Sequence, residues 1–269
     1  MIGSWGGDRT ARPGGAARGR SAPVTYALIA ACALVFLLGP VPGLNPGYGA
    51  GDELLAAQRS YFARWGVIPA DLLSGAPRAL LTPVTALFVH GSWLHLLGNM
   101  LFLHVFGVMA EERLGRLRHL VLYVVCGALA LTGYATAHAG QPDGGQTLVG
   151  ASGAISAVLG AFLYLFPTAR VTSLFPFLFF LPLRFPAWMV LPFWVALQWL
   201  AASRDGQGPG VAYLAHLIGF GLGFLGCWAG YGGWWRRGPR EPRHDQRGAG
   251  RGRARVNPPA AATEGDSQP

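Results

Sequence analysis

Four polar residues stand inside strongly apolar stretches of this chain, and their types suit acyl-transfer chemistry. Ser152 lies in GASGAIS, flanked by Gly150 and Gly153. His216 lies in AYLAHLIGFGLGFLG, and His95 and Asn99 lie in WLHLLGNMLFLHVFG. A serine hydroxyl is a weak nucleophile until an adjacent base takes its proton. His216 is the histidine placed to be that base. No Asp or Glu falls in the same half of any apolar segment: Glu111 and Glu112 close one segment at its far end, and Asp143 is in a loop. The pattern predicts a Ser–His dyad without the acidic third member of the usual triad. A tetrahedral intermediate needs fixed donors for its oxyanion. The candidates are His95, the Asn99 amide and the backbone N–H of Ser152. Gly150 and Gly153 remove side chains where a substrate backbone must approach.

The segments that carry these residues read as membrane spans. Hydrophobic residues make up 52% of the 269-residue chain and charged residues only 12%, about half the usual share for a soluble protein. An integral membrane protein follows. Six apolar segments are expected, at about 23–41, 93–110, 117–138, 150–166, 186–201 and 211–235. The fourth is short for a bilayer crossing, bounded by the QPDGGQ loop and Pro167. Residues 1–22 and 236–269 are too polar and Gly/Arg/Pro-rich to bury a core and read as disordered basic tails. The first segment reads as a retained signal anchor, since its apolar run continues to Pro40 without a clear cleavage site.

Charge sets the orientation. All 21 basic residues are arginine. With six spans, seventeen of them fall on the side holding both tails and the 2–3 and 4–5 loops, and four (Arg59, Arg64, Arg78, Arg204) on the other. Both termini are therefore expected to be cytoplasmic. The net charge of +9 resides mainly in tails suited to anionic lipid, and no basic–aromatic interleaving argues for nucleic acid. Arginine without lysine, with much Gly, Ala and Pro, suggests a bacterial source. Cys32, Cys126 and Cys227 sit in separate apolar segments with no metal-ligand spacing.

Under that topology the second, fourth and sixth segments run inward from the outer face. His95, Asn99, Ser152 and His216 all lie near their starts, roughly 5–12 Å deep at the rise of an α-helix. On the sixth segment His216, Gly219, Gly223, Gly226 and Gly230 share one face with little bulk; on the fourth, Ser152, Ser156 and Gly160 do. Small faces let membrane helices approach backbone to backbone. That approach would carry the hydroxyl to the imidazole. The loop at 42–92, with Tyr61, Phe62, Trp65, Leu72 and Leu73, is expected in or on the outer leaflet. His104 is expected to face away from His95 in a packing or lipid-edge role, His90 to be structural, and His119, His138 and His244 are assigned no role. Glu111 and Arg113 are expected to cap and anchor the second segment.

The stretches HGSWLHLLGNM, EERLG, GASGAIS and AHLIGFGLG, in this order over residues 80–230, resemble the motifs of rhomboid intramembrane serine proteases of bacterial type. The resemblance implies an all-α, six-transmembrane-helix bundle with a short central fourth helix, residues 23–235 forming the protease domain. It implies a serine endopeptidase that cuts transmembrane segments of other membrane proteins near the outer face. Its setting would be the bilayer of a bacterial plasma membrane, with no metal, cofactor or nucleic acid. By the same analogy the fifth segment, with Trp188, Pro192 and Trp194, would form a lateral gate. In some members an aromatic residue four positions after the serine stacks on the histidine; here Ser156 stands there. The alternatives weighed are an inactive rhomboid-like client-binding protein and a small transporter or channel. The intact Ser152 and His216 argue against the first, and the lack of intramembrane acids and inverted repeats against the second.

Overall fold

The computed structural model describes residues 21–138, 140, 145–175, 181–204 and 212–231. Residues 1–20 and 236–269 of the basic tails, with His244, and the first four residues of the QPDGGQ loop, with Asp143, lie outside the described residues. Each of the six expected apolar segments contains a helix. Helix α1, Pro23–Leu38, starts with proline at its first position, where a missing N–H costs nothing and φ is already helical. The long connection to the next span is more ordered than a loop. It contains α2 (Asp52–Trp65), α3 (Pro69–Leu73) and a short apolar helix α4 (Ala79–Phe88). Asp52 and Glu53 in the first turn of α2 and Arg64 in its last complement the helix dipole. None of its residues is buried.

Helix α5, Trp93–Leu114, and helix α6, Arg116–His138, are long enough to cross a bilayer. Ser92 caps the first, its hydroxyl accepting from the His95 N–H at 3.1 Å. Gly115 separates them at φ +83°, a conformation that favours glycine. Each helix carries one π-turn, at Leu103–Gly107 and Leu122–Cys126. Helix α7, Ser152–Leu165, is the centre of the molecule: every residue from Gly153 to Phe162 is buried. Its 14 residues span only about 21 Å, well short of a bilayer core. Pro167 follows its end and stops the helix.

An antiparallel hairpin comes next, strand β1 (Arg170–Phe175) paired with β2 (Leu181–Pro186), Arg170 opposite Pro186. This corrects the all-α expectation: the described residues are mostly helical, with one two-stranded sheet. RVTSLF carries Val, Thr and Phe, which favour extended backbone, and the two prolines of LPLRFP disfavour a helix there, a local signal overshadowed by the surrounding helical patterns. Helix α8, Ala187–Arg204, and helix α9, Tyr213–Tyr231, are the last of the described elements. Among the described residues three helices meet the length and hydropathy of a membrane span, at Trp93–Leu114, Arg116–His138 and Tyr213–Gly230; α1, α7 and residues Ala187–Ser203 are apolar but shorter.

Close approach of α7 and α9 organises the core. A Cβ added at Gly219 would overlap the Gly153 carbonyl oxygen, one at Gly223 the Ala157 carbonyl oxygen, and one at Gly160 the Phe220 carbonyl oxygen. The pairs 153–219 and 157–223 advance together, so the two helices run parallel. Gly226 meets nothing within 4 Å; the tight face ends at Gly223, short of the Gly226 and Gly230 that the glycine spacing includes. A second close approach joins α6 to α7, where a Cβ at Gly127 would lie 2.6 Å from the Ala154 Cβ. On the opposite flank the Phe106 and Phe162 rings meet edge to face, centroids 5.0 Å apart.

Glu111 is 2% exposed, and it caps α1 rather than its own helix. Its carboxylate accepts from the Val24 N–H at 3.0 Å, the Thr25 N–H at 2.7 Å and the Thr25 hydroxyl at 2.8 Å. The partners lie 86 and 87 residues away, so local spacing carries no trace of them. Buried His119 joins the cluster, its Nε2 3.2 Å from the Thr25 hydroxyl.

Candidate active site

Ser152 is the first residue of α7, where the leading N–H groups have no partner within the helix. The chain reaches it through Gly150 at φ +124°, whose N–H donates to the Ala86 carbonyl at 2.9 Å. Two further bonds fix this approach: Val67 and Leu148 exchange N–H···O bonds of 2.9 and 2.8 Å. The connection between α1 and α5 thus braces the segment that delivers the serine. That support was not foreseen from the sequence, because it is made of backbone bonds.

The Ser152 Oγ lies 2.8 Å from the Nε2 of His216. The other ring nitrogen of His216, Nδ1, lies 2.7 Å from the Oε1 of Gln198 on α8. An amide oxygen only accepts, so Nδ1 carries the proton and Nε2 presents its lone pair to the serine. Trp194, one turn earlier on α8, stacks on the imidazole at 6.1 Å and 28°, and Tyr213 meets its edge at 6.2 Å and 90°. Ser156 instead donates to the Ser152 carbonyl at 2.7 Å. Sequence reasoning missed Gln198. The signal was present: a polar side chain in the apolar run WVALQWL, four residues after Trp194 and so on the same face.

His95 and Asn99 both face this site. A Cβ built on Gly150 would lie 2.7 Å from the His95 Nε2 and 3.7 Å from the Asn99 Nδ2. The Gly91 N–H donates to His95 Nδ1 at 3.4 Å, which leaves the Nε2 of a neutral ring as the donor. The Asn99 Nδ2 is buried with no hydrogen-bond partner. An unpartnered buried donor costs about 1–3 kcal/mol and needs a reason.

All four residues line one open cavity of about 810 Å³, with Tyr134 and His138 on its α6 wall and Trp199 on its α8 wall. His138 stacks on Tyr134 at 3.9 Å, placing at the rim a histidine to which the sequence assigned nothing. His104 is exposed beside Tyr26, away from the site, as its spacing from His95 requires. Trp194 turns inward to His216, while Trp188 is exposed.

His90 sits in the turn between α4 and α5, 1% exposed and edge-on to His95 at 5.2 Å. Burial, reinforced by His95, pushes its imidazole down to about 4 from 6.5. Between those values the unfolded chain binds a proton that the folded one refuses, so this contribution to stability is full above pH 6.5 and declines as pH falls toward 4. Thermal unfolding in detergent should show a lower midpoint at pH 5 than at pH 7, and His90→Gln should flatten that difference.

A parallel helix pair that sets a serine against a histidine on the floor of an open cavity, in a multi-pass integral membrane protein, defines a class. The rhomboid domain family matches residues 77–232, more than half the chain, and the chain belongs to that family. It is 35% identical over 144 residues to "Rhomboid protein 1, mitochondrial" of Saccharomyces cerevisiae, covering 52% of this chain and 39% of that protein. It is 36% identical over 80 residues to "RHOMBOID-like protein 5" of Arabidopsis thaliana, covering 30% and 25%. The chain thus spans well under half the length of these relatives.

Proposed function

We propose that this chain is an intramembrane serine endopeptidase that cleaves transmembrane segments of other membrane proteins near the outer face. The observation that carries the reading is the 2.8 Å contact between Ser152 Oγ and His216 Nε2 at a cavity floor, in a chain of the rhomboid family. Ser152 Oγ attacks the scissile carbonyl while His216 Nε2 takes its proton. The oxyanion is held by the Nε2–H of His95, the Nδ2–H of Asn99 and the Ser152 N–H, aided by the N-terminal end of the α7 dipole. His216 then returns the proton to the leaving amine, and an acyl-serine remains. Water, deprotonated by the same imidazole, attacks that ester; the second tetrahedral intermediate then expels Ser152 Oγ, which takes the proton back from His216, and the second product leaves. No residue beyond the dyad changes protonation.

The six helices α1, α5, α6, α7, α8 and α9 are read as six spans, with residues 23–235 as the protease domain between basic tails. Both termini are placed in the cytoplasm by the arginine asymmetry, and a bacterial plasma membrane fits the lysine-free composition. The short α7 leaves Ser152 below the outer face, where water enters through the cavity.

The test is incubation of the full chain, in detergent and in vesicles, with a fluorophosphonate probe and a single-span reporter protein. Labelling together with a product cut within or beside the span supports the reading. Reporter binding without labelling or cleavage would establish the client-binding alternative. Asn99→Ala should lower kcat about 10²–10³-fold, the usual effect of losing one oxyanion donor, with little change in KM.

A further inference from the structure

We infer that Gln198 is the positioning residue of this site, holding His216 in the tautomer that can accept the serine proton. The inference rests on the protease reading. A neutral imidazole carries one proton, and a histidine protonated at Nε2 has no lone pair there with which to take the proton of the serine. The Gln198 Oε1 at 2.7 Å from Nδ1 removes that choice, because a carbonyl oxygen accepts and does not donate. It performs with a neutral amide the orienting task that a carboxylate performs in a triad, where the wrong tautomer costs about 10⁴-fold.

Two further observations place the ring rather than its proton. Trp194 lies four residues before Gln198, so both project from one face of α8, and its indole stacks on the imidazole at 28°. Tyr213, on the first turn of α9, meets the ring edge at 90°. The imidazole is thereby held from α8 in plane and in tautomer while its own backbone belongs to α9. The position four after the serine is occupied by a residue bonded to its own helix, Ser156, so the task falls to α8. His95 on α5 and Tyr213 are the other titratable groups around His216 among the described residues. A neutral acceptor also leaves the resting site uncharged, which suits a low-dielectric setting where a buried carboxylate is costly. As the proton arrives on Nε2, the amide dipole at Nδ1 stabilises the imidazolium.

The experiment uses the purified full chain with Gln198→Leu and Gln198→Glu, beside Ser152→Ala, and reads three quantities. Gln198→Leu keeps the volume and removes the acceptor; it should slow fluorophosphonate labelling and lower kcat for reporter cleavage about 10²–10⁴-fold, with KM little changed. Gln198→Glu restores an acceptor; it should recover most of the rate and move the acid limb of the rate profile to higher pH, as a carboxylate favours the imidazolium. Nitrogen-15 spectra of labelled histidine should place the His216 proton on Nδ1 in the parent and on Nε2 in Gln198→Leu. Parent-like kinetics in Gln198→Leu, or an Nε2-protonated His216 in the parent, overturns the assignment while labelling lost in Ser152→Ala keeps the dyad. Absence of any labelling in the parent overturns the protease reading instead, and the histidine spectra then still decide the role of Gln198.

Discussion

Ser152→Ala and His216→Ala should each reduce reporter cleavage by roughly 10⁴-fold or more, and the double variant should be no worse than either alone. Members of a nucleophile–base pair act as a unit, so removing one forfeits most of what both provide. What remains after either change is binding and oxyanion stabilisation. The two variants differ in one respect. Ser152→Ala has no atom for the phosphonate to capture and gives no labelling at any time. His216→Ala keeps the hydroxyl, and prolonged exposure should still label it slowly, because the His95, Asn99 and Ser152 N–H donors remain. Folding should survive both changes. Among the described residues Ser152 Oγ bonds only to His216, and His216 is half-buried in the cavity lining rather than locked in the core. Equal losses from the two single variants, without further loss in the double, would establish the dyad; additive losses would show that His216 acts elsewhere.

Asn99→Ala is predicted to cost less because its donor is one of three. The backbone N–H of Ser152 is beyond the reach of substitution, and His95 continues to donate through Nε2. That ordering, dyad first and Asn99 second, separates a covalent mechanism from a cavity that merely holds a client, in which all three changes would alter binding by comparable factors.

The parts of this site legible in the sequence were those governed by cost. A serine and a histidine placed in apolar surroundings, at matching depths on co-directional helices, demand an explanation. The parallel register of α7 and α9 accords with that reading, since Gly153 meets Gly219 and Ala157 meets Gly223. The rest depended on contacts between distant parts of the chain. Gln198 lies 18 residues from His216, beyond the 205–211 segment, and no periodicity links them. Its polarity alone was a sufficient signal had the rule applied to His95 and Asn99 been applied to it. Glu111 was placed at the right end of its helix but given the wrong partner, because its bonds to Val24 and Thr25 reach across to α1. The β1–β2 hairpin and the amphipathic α2 were hidden for another reason: both lie in stretches bounded by strong apolar runs, and such runs dominate a hydropathy reading. The glycine stripe was carried past Gly223, where Gly226 already meets open space, because spacing reports which face a residue shares, not where the neighbouring helix diverges.

Gly223→Ala should be the most damaging single methyl that can be added to this protein, and Gly226→Ala nearly silent. The new Cβ at 223 would enter the space of the Ala157 backbone, within 2.6 Å of its carbonyl carbon. Backbone cannot rotate away as a side chain can, so α7 and α9 must separate. Overpacking of this kind costs about 1–3 kcal/mol or more. In lipid no hydrophobic driving force between helices compensates, because their association relies on close packing itself. The separation is transmitted to the site, since the same two helices carry Ser152 and His216 seven residues earlier on α9 and five on α7. A shift of about 1 Å in a catalytic pair is enough to cost roughly 10²-fold in rate. Gly226 has open space around it, so its substitution tests whether any glycine in the stripe would behave alike. A lowered thermal midpoint and slowed labelling in Gly223→Ala, with parent values in Gly226→Ala, would tie the rate to the backbone contact. Equal behaviour of the two variants would mean that the helices approach less closely in the bilayer than the geometry around Ala157 requires.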